Sequence, residues 1–243
     1  MTRSNGSAVS RRGIHAQVVD AVGRRIVTGE LAEGEVLDLA ALEAEFDVSH
    51  TALREAIKVL TAKSLVDARP KLGTYVVPQS SWNLLDPDVM AWRENDVDVQ
   101  RELAGLRLIL DAPAAALAAR NATPGQVDRL RQALTAMEES VEQAESDPAR
   151  GWNAAAAADA AFHLELGEAT GNKLLAHFER LLLPALQARH LATLPSHHGE
   201  RFIVEHRAVL DAVSTGDEHA AHAAMKVLVD NANADFESRH PTP

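Results

Sequence analysis

Apolar residues recur at helical spacing through most of this 243-residue chain, and the place where that period fails lies within residues 47–77, DVSHTALREAIKVLTAKSLVDARPKLGTYVV. Ser49 is suited to cap a helix whose inward face is Leu53, Ile57 and Leu60. After that helix, SLVDAR and TYVV read as two short strands joined through PKLG, where Pro70 and Gly73 supply the turn. Upstream, Ile14, Val18, Val22 and Ile26 recur at intervals of four. They predict a helix over Ile14–Val27 that stops at Thr28-Gly29. A second, short helix fits Leu39–Phe46, and only Asp47-Val48-Ser49 separates it from the third. Three helices closed by a hairpin make a winged helix-turn-helix, and few other folds need these parts in this order.

Downstream the period returns. PQSSWNLLDPDVMAW is rich in proline and serine and has no long period, so a boundary is expected within it. Six further stretches are long and periodic enough for helices: residues 99–122, 124–145, 152–171, 172–192, 200–216 and 217–238. Gly, Pro or Asn separates them. Short connections favour an antiparallel bundle of six or seven helices, and the abundant alanine allows close helix approach. The expectation is a mainly α protein: a tail over 1–12, a winged helix-turn-helix over 13–78, a linker with a short helix over 79–97, and an all-α domain over 98–240. Trp82 and Trp92 flank the linker as packing residues that are suited to transmit a shift from one domain to the other.

The formal net charge of −11 would ordinarily disfavour a nucleic-acid partner, so its distribution decides. Basic and acidic residues balance over 1–80, which leaves the whole deficit on the remainder. Residues 49–80 carry Arg54, Lys58, Lys63, Arg69 and Lys71 against Glu55 and Asp67. One segment can face phosphate while the rest repels it. Cysteine is absent, which excludes disulfides and thiolate metal sites. No stretch approaches the roughly eighteen apolar residues of a membrane span, and a cytoplasmic protein is expected.

The second helix of a helix-turn-helix places its N-terminal side chains on base edges, so polar residues must crowd its first turn and a half. Here they are Ser49, His50, Thr51 and Arg54. Arg54 lies one turn beyond His50 on the same face, and its fork matches the O6/N7 edge of guanine. Ser49 and Thr51 suit phosphate oxygens, as do Arg69 and Lys71 in the wing; Gly73 lets that turn approach a groove closely. The competing reading is a solvated polar face on a small helical domain.

These residues resemble the GntR family of winged-helix bacterial transcription regulators. VSHTALREAIKVLTAKSLVDARPKLGTYV is similar to that family's Val-Ser-Arg-Thr, Arg-Glu-Ala, a leucine one turn later, and a wing ending Gly-x-x-Val. His50 stands where the family usually has a base-reading arginine, and Ala40 where another contact arginine often lies. Arg54 remains. LRLILDAPAAALAA, DAAFHLELGEATGN and EHRAVLDAVSTGDEHAAHAAM resemble the effector-binding and dimerisation domain of the FadR subfamily, and WNLLDPDVMAWRENDVD is most like its galactonate-responsive branch. The resemblance implies a homodimeric, ligand-responsive repressor, not an enzyme, with double-stranded operator DNA and a sugar acid or related small carboxylate as partners.

Many members of that subfamily hold a divalent metal with one Asp and three His. Asp159 and His163 are four apart on one helical face, and His206 follows on a later helix. The fourth expected position is Leu228. Zinc keeps three protein ligands and an oxygen elsewhere, so a three-ligand centre stands beside the reading of a metal-free polar pocket, which is preferred. An anionic effector needs a cation, and Arg107 is the candidate; a surface salt bridge with Glu102 or Asp111 is its bland alternative. Asn172 offers an amide contact or a helix cap, with Arg189 and His190 as weaker candidates. Two rivals remain: a metal-dependent enzyme built on Asp159, His163 and His206, and a sensor for which the metal itself is the signal.

Overall fold

A computed structural model describes residues 8–93, 95–182 and 199–240, with side chains from residue 13 onward apart from Ile14. The chain forms two compact units, 1–93 and 94–243.

In the first unit α1 (Ala8–Val27) buries Val18, Val19, Val22 and Ile26, the face its four-residue spacing selects. It starts upstream of the expected Ile14. Helix α2 (Leu39–Phe46) has the expected bounds. Asp38 caps it, accepting from the Ala41 N–H, and Asp47 ends it in the left-handed region at φ 49°. Helix α3 (His50–Ala62) buries Leu53, Ala56 and Leu60. Ile57, expected to face inward, is only half-buried, because the buried face passes through Ala56 instead.

Strands β1 (Val66–Arg69) and β2 (Gly73–Val76) pair antiparallel, with Val66 opposite Val76 and Arg69 opposite Gly73. Gly73 adopts φ 97° at the turn, where a side chain would be strained. The sheet has a feature the sequence did not advertise: Val36 bridges Tyr75, and the Leu37 N–H donates to the Thr74 carbonyl at 2.8 Å. The segment before α2 thereby braces the wing.

The stretch expected as a linker is anchored in this unit. Helix α4 (Pro87–Trp92) buries Val89, Met90 and Trp92. The Trp92 indole N–H donates to Asp20 Oδ1 at 2.7 Å. Gly23 on α1 permits this contact, since a Cβ there would lie 2.3 Å from the Trp92 ring. Lys63 bonds Asp86 Oδ1 at 2.8 Å and Asp88 Oδ2 at 2.6 Å, below the α4 N-terminus. Burial opposes its charge, yet the hydrogen bonds to the two aspartates outweigh that and raise its pKa. Trp82, partly buried, donates to the Val77 carbonyl at 3.0 Å and packs on the same core.

The second unit is helical throughout its described residues: α5 (Val97–Asn121), α6 (Pro124–Ser146), α7 (Pro148–Ala169), α8 (residues 173–182), α9 (Gly199–Thr215) and α10 (Glu218–Arg239). Thr123 and Gln126 form a reciprocal capping box at the start of α6. Asp147 alone separates α6 from α7. Gly151 lets them close, because a Cβ there would meet the Ala144 backbone at 2.3 Å. Phe162, Leu166, Leu130, Met137, Val209, Met225 and the alanines of α5 make one core. Alanine keeps the helix axes near. No described helix is long and apolar enough to cross a membrane.

Candidate functional site

The candidate DNA-reading residues all lie at the surface. Ser49 Oγ accepts from the Ala52 N–H at 3.3 Å, so this residue caps α3 while its own hydroxyl proton remains to be donated. Thr51 and Arg54 are exposed on the first turn and a half of α3. His50 is exposed too, but it does not stand alone: its Nδ1 lies 2.5 Å from Glu43 Oε1 on α2. In the wing, the Arg69 guanidinium lies 4.9 Å from the Tyr75 ring centroid. Lys71 projects from the tip at φ 68°.

The second unit gathers its polar residues in the opposite setting. Arg107, Asp111, Asp159, His163 and His206 are each 4% exposed or less. Arg107 Nε donates to Asp111 Oδ2 at 2.7 Å, and one terminal nitrogen lies 3.2 Å from His163 Nε2. The alternative reading of Arg107 is therefore half right: the salt bridge to Asp111 exists, but it is buried. Burial works against the guanidinium's charge, and Asp111, then Asp159 and Glu179, outweigh it and hold the pKa above the usual value. Asp159 Oδ1 lies 3.7 Å from His163 Nε2 and 2.9 Å from His206 Nε2. Phe162 meets both imidazoles edge-on and closes the cluster on its apolar side.

His206 carries the most informative geometry. Its Nδ1 lies 2.8 Å from the Phe202 carbonyl, which only accepts, so Nδ1 holds the proton. Nε2 then turns its lone pair toward a carboxylate oxygen, and no hydrogen bond satisfies this buried atom among the described residues. A proton or a cation between Nε2 and Asp159 resolves that meeting of acceptors. Asp159, His163 and His206 bring their donor atoms within 4.8 Å of one another, a set that fits a divalent ion in chemistry and spacing. Two features compete with one. Leu228, at the sequence position where the resemblance expects a fourth ligand, is apolar and 3% exposed, and Arg107 addresses the His163 lone pair that a metal would use.

Of the cluster's further participants, the sequence reading named Asp111 only in the competing salt-bridge reading and missed Glu179. Asp111 is the direct partner of Arg107, four residues on and on the same face, which is a signal that was present. Glu179, on α8, is 5% exposed and is pushed up to about 7, first by burial, then by the charge of Asp111, with Arg107 pulling the other way. Helical spacing gave no sign of it. Asn172 is exposed and caps α8, accepting from the Leu174 and Leu175 N–H groups at 3.0 and 3.3 Å. It does not join the buried cluster. Arg189 and His190 lie outside the described residues.

The two halves match two family models, that of the bacterial regulatory proteins of the gntR family over residues 14–76 and that of the FCD domain over residues 102–231. The chain belongs to the GntR family. Within it, this FCD-type regulator is 30% identical to the uncharacterised HTH-type transcriptional regulator YieP of Escherichia coli, over 94% of this chain and 98% of that one. It is 33% identical to the transcriptional regulator LutR of Bacillus subtilis, covering 85% and 93%. The galactonate operon transcriptional repressor of E. coli is 27% identical over 88% and 92%. Among solved structures, Lar, described as controlling the Listeria monocytogenes agr system, shares the fold with a TM-score of 0.63 at 20% identity over 92% and 96%. These relatives are regulators, and the enzyme reading of Asp159, His163 and His206 falls away.

Proposed function

We propose that this GntR-family regulator is a homodimeric repressor that leaves its operator when a small carboxylate, a sugar acid such as galactonate, enters the cluster around Arg107. One observation carries the reading: a guanidinium, three acidic side chains and two imidazoles buried together in a core that is otherwise apolar. Taking such a group out of water costs stability, and a cluster of paired ionisable groups in a bundle interior is a candidate binding site for that reason. Its charges are arranged for a hydroxy acid. Arg107 offers N–H donors to a carboxylate, while Asp159, His163 and His206 accept from or donate to hydroxyls. The likeness to the galactonate repressor supports that ligand class.

On the DNA side, Arg54 reads a guanine edge and Ser49, Thr51, Arg69, Lys71 and the Gly73 turn hold the backbone. A dimer repeats these contacts on two half-sites of a near-palindrome. A carboxylate that draws Arg107 from Asp111 and His163 changes what holds α5 to α7. The population of dimer geometries shifts, and the spacing of the two recognition helices with it.

A second reading has the geometry of His206 in its favour: a divalent metal held by Asp159, His163 and His206 as the signal, or as a partner in holding the acid. When bound, the ion would supply the cation that His206 Nε2 and Asp159 both face. Fluorescence anisotropy of the purified protein on duplex DNA from its own upstream region, titrated with galactonate and related aldonates with and without chelator, separates the readings. Release by one aldonate regardless of chelator supports the metal-free pocket. Binding that responds only to chelator or added metal overturns it.

A further inference from the structure

His50 and Glu43 form a pair across the helix-turn-helix that no DNA contact explains. Asp47, in the left-handed conformation, turns the chain so that the start of α3 returns over the last turn of α2. This brings His50 Nδ1 to 2.5 Å from Glu43 Oε1, with the imidazole side chain 65% exposed and the carboxylate 28%. An ionised carboxylate has no proton to give, so the bond runs one way: Nδ1–H donates and Glu43 accepts. The tautomer is thereby fixed. In the uncharged ring the outward atom, Nε2, is left with a lone pair and no hydrogen.

While the ring is uncharged, that lone pair decides what it can read. Phosphate oxygens, guanine N7 and O6 and thymine O4 are all acceptors and give it no partner. The major groove offers donors at two places, the N6 amino group of adenine and the N4 amino group of cytosine. We propose that Glu43 is a positioning residue for base recognition: by holding His50 as the Nδ1–H tautomer it makes the recognition helix select an amino-bearing base, adenine or cytosine, at the position His50 faces. Arg54, one turn further along the same face, selects an acceptor edge, so the two side chains together specify an alternation of donor and acceptor along the site. The inference rests on α3 being the recognition helix, and the test separates that premise from the role of Glu43.

The full-length protein is first used to select duplexes from a random pool at pH 8. The selected half-site is then varied one base at a time, and affinities are read by anisotropy for wild type, His50→Ala, Arg54→Ala and Glu43→Leu. The wild type is expected to prefer adenine or cytosine at one position by roughly five- to tenfold, a preference that His50→Ala abolishes. A duplex lacking that exocyclic amino group, purine in place of adenine, loses the same factor only with wild-type His50. In Glu43→Leu nothing accepts from Nδ1–H, so both tautomers of the uncharged ring become available. Preference at the His50 position is then expected to flatten, with guanine or thymine bound within about twofold of adenine or cytosine. A wild-type preference for guanine at the His50 position overturns the inference, as does a Glu43→Leu protein that keeps the wild-type preference or weakens on all sequences alike. A protein that selects no sequence and is indifferent to Arg54→Ala overturns the recognition-helix premise and the inference with it.

Discussion

The two units place their candidate functional side chains in opposite environments. In the first, His50, Thr51, Arg54 and Lys71 stand in water and the apolar core beneath them is complete without them. In the second, Arg107, Asp111, Asp159, His163 and His206 are inside the core itself. A surface that reads DNA is separable from its fold, because exposed polar groups cost little and support little. A buried cluster is inseparable, because removing one member strands the charges of the others. Function and stability should therefore part company in one unit and travel together in the other.

The largest expected effect tests that coupling. Arg107→Met keeps most of the side chain's volume but leaves Asp111 and Asp159 without their guanidinium. A loss of about 3–5 kcal/mol in unfolding free energy is expected from stranding a buried charge. Urea or thermal unfolding of the purified variant measures it. The double variant Arg107→Met with Asp111→Leu should recover a large part of that loss, since removing both partners is far less costly than removing one. Equal destabilisation by single and double variants would mean that Arg107 acts on Asp159 and His163 more than on Asp111.

Glu179 gives a pH-dependent version of the same test. Its carboxyl, pushed from about 4.5 to about 7 by burial and then by Asp111, binds its proton more tightly in the folded chain than in the unfolded one. The folded state therefore holds more protons between those values, and stability falls as pH rises through that window. The contribution is fully present below about pH 4.5 and gone above about pH 7. Glu179→Gln, which cannot ionise, should flatten this part of the profile. Relative to wild type the variant gains up to about 3 kcal/mol between pH 5 and pH 8, an upper figure for a shift of this size. A profile parallel to wild type would show that Glu179 does not titrate in that window.

The same division explains how far the sequence could be read. The first unit announced itself, because a winged helix needs a tight turn at Asp47-Val48-Ser49, a cap at Ser49 and a glycine at the wing, all local and written in residue type. α2 came out with the expected bounds for that reason. What stayed hidden there depends on chain segments meeting in space: the bracing of β2 by Val36 and Leu37, the bonds from Lys63 to Asp86 and Asp88, and the Glu43–His50 pair. In the bundle, helical period gave the elements but could not tell a buried arginine from an exposed one. Arg107 and Asp111 sit four apart, a spacing common to surface pairs, and only the alanine-lined neighbourhood of α5 puts them inside. Asp159, His163 and His206 were legible through resemblance and spacing; Glu179 was not, since its partners lie on another helix.

For the first unit, the separation of reading from folding predicts that Arg54→Ala costs about 1–3 kcal/mol per half-site at one base position. Its melting curve should match wild type. Anisotropy against single-base variants of the selected site measures the first, and a thermal scan the second. An equal loss on every sequence would reassign Arg54 to phosphate. A drop in melting temperature would place it in the core's support and weaken the contrast between the units.

Ser49 is where that contrast is narrowest, because one side chain caps the fold and is proposed to meet DNA. Its oxygen caps α3 by accepting from the Ala52 N–H at 3.3 Å, and its proton is free to meet a phosphate. Ser49→Ala removes both, so stability should fall by about 1 kcal/mol along with affinity for all sequences. Ser49→Asp separates the two roles. Aspartate caps about as well as serine, so unfolding free energy should stay within about 0.5 kcal/mol of wild type, while its charge repels phosphate and weakens binding regardless of sequence. Binding by Ser49→Asp at wild-type strength would mean that Ser49 serves the helix alone, and the DNA backbone is then held by Thr51 and the wing.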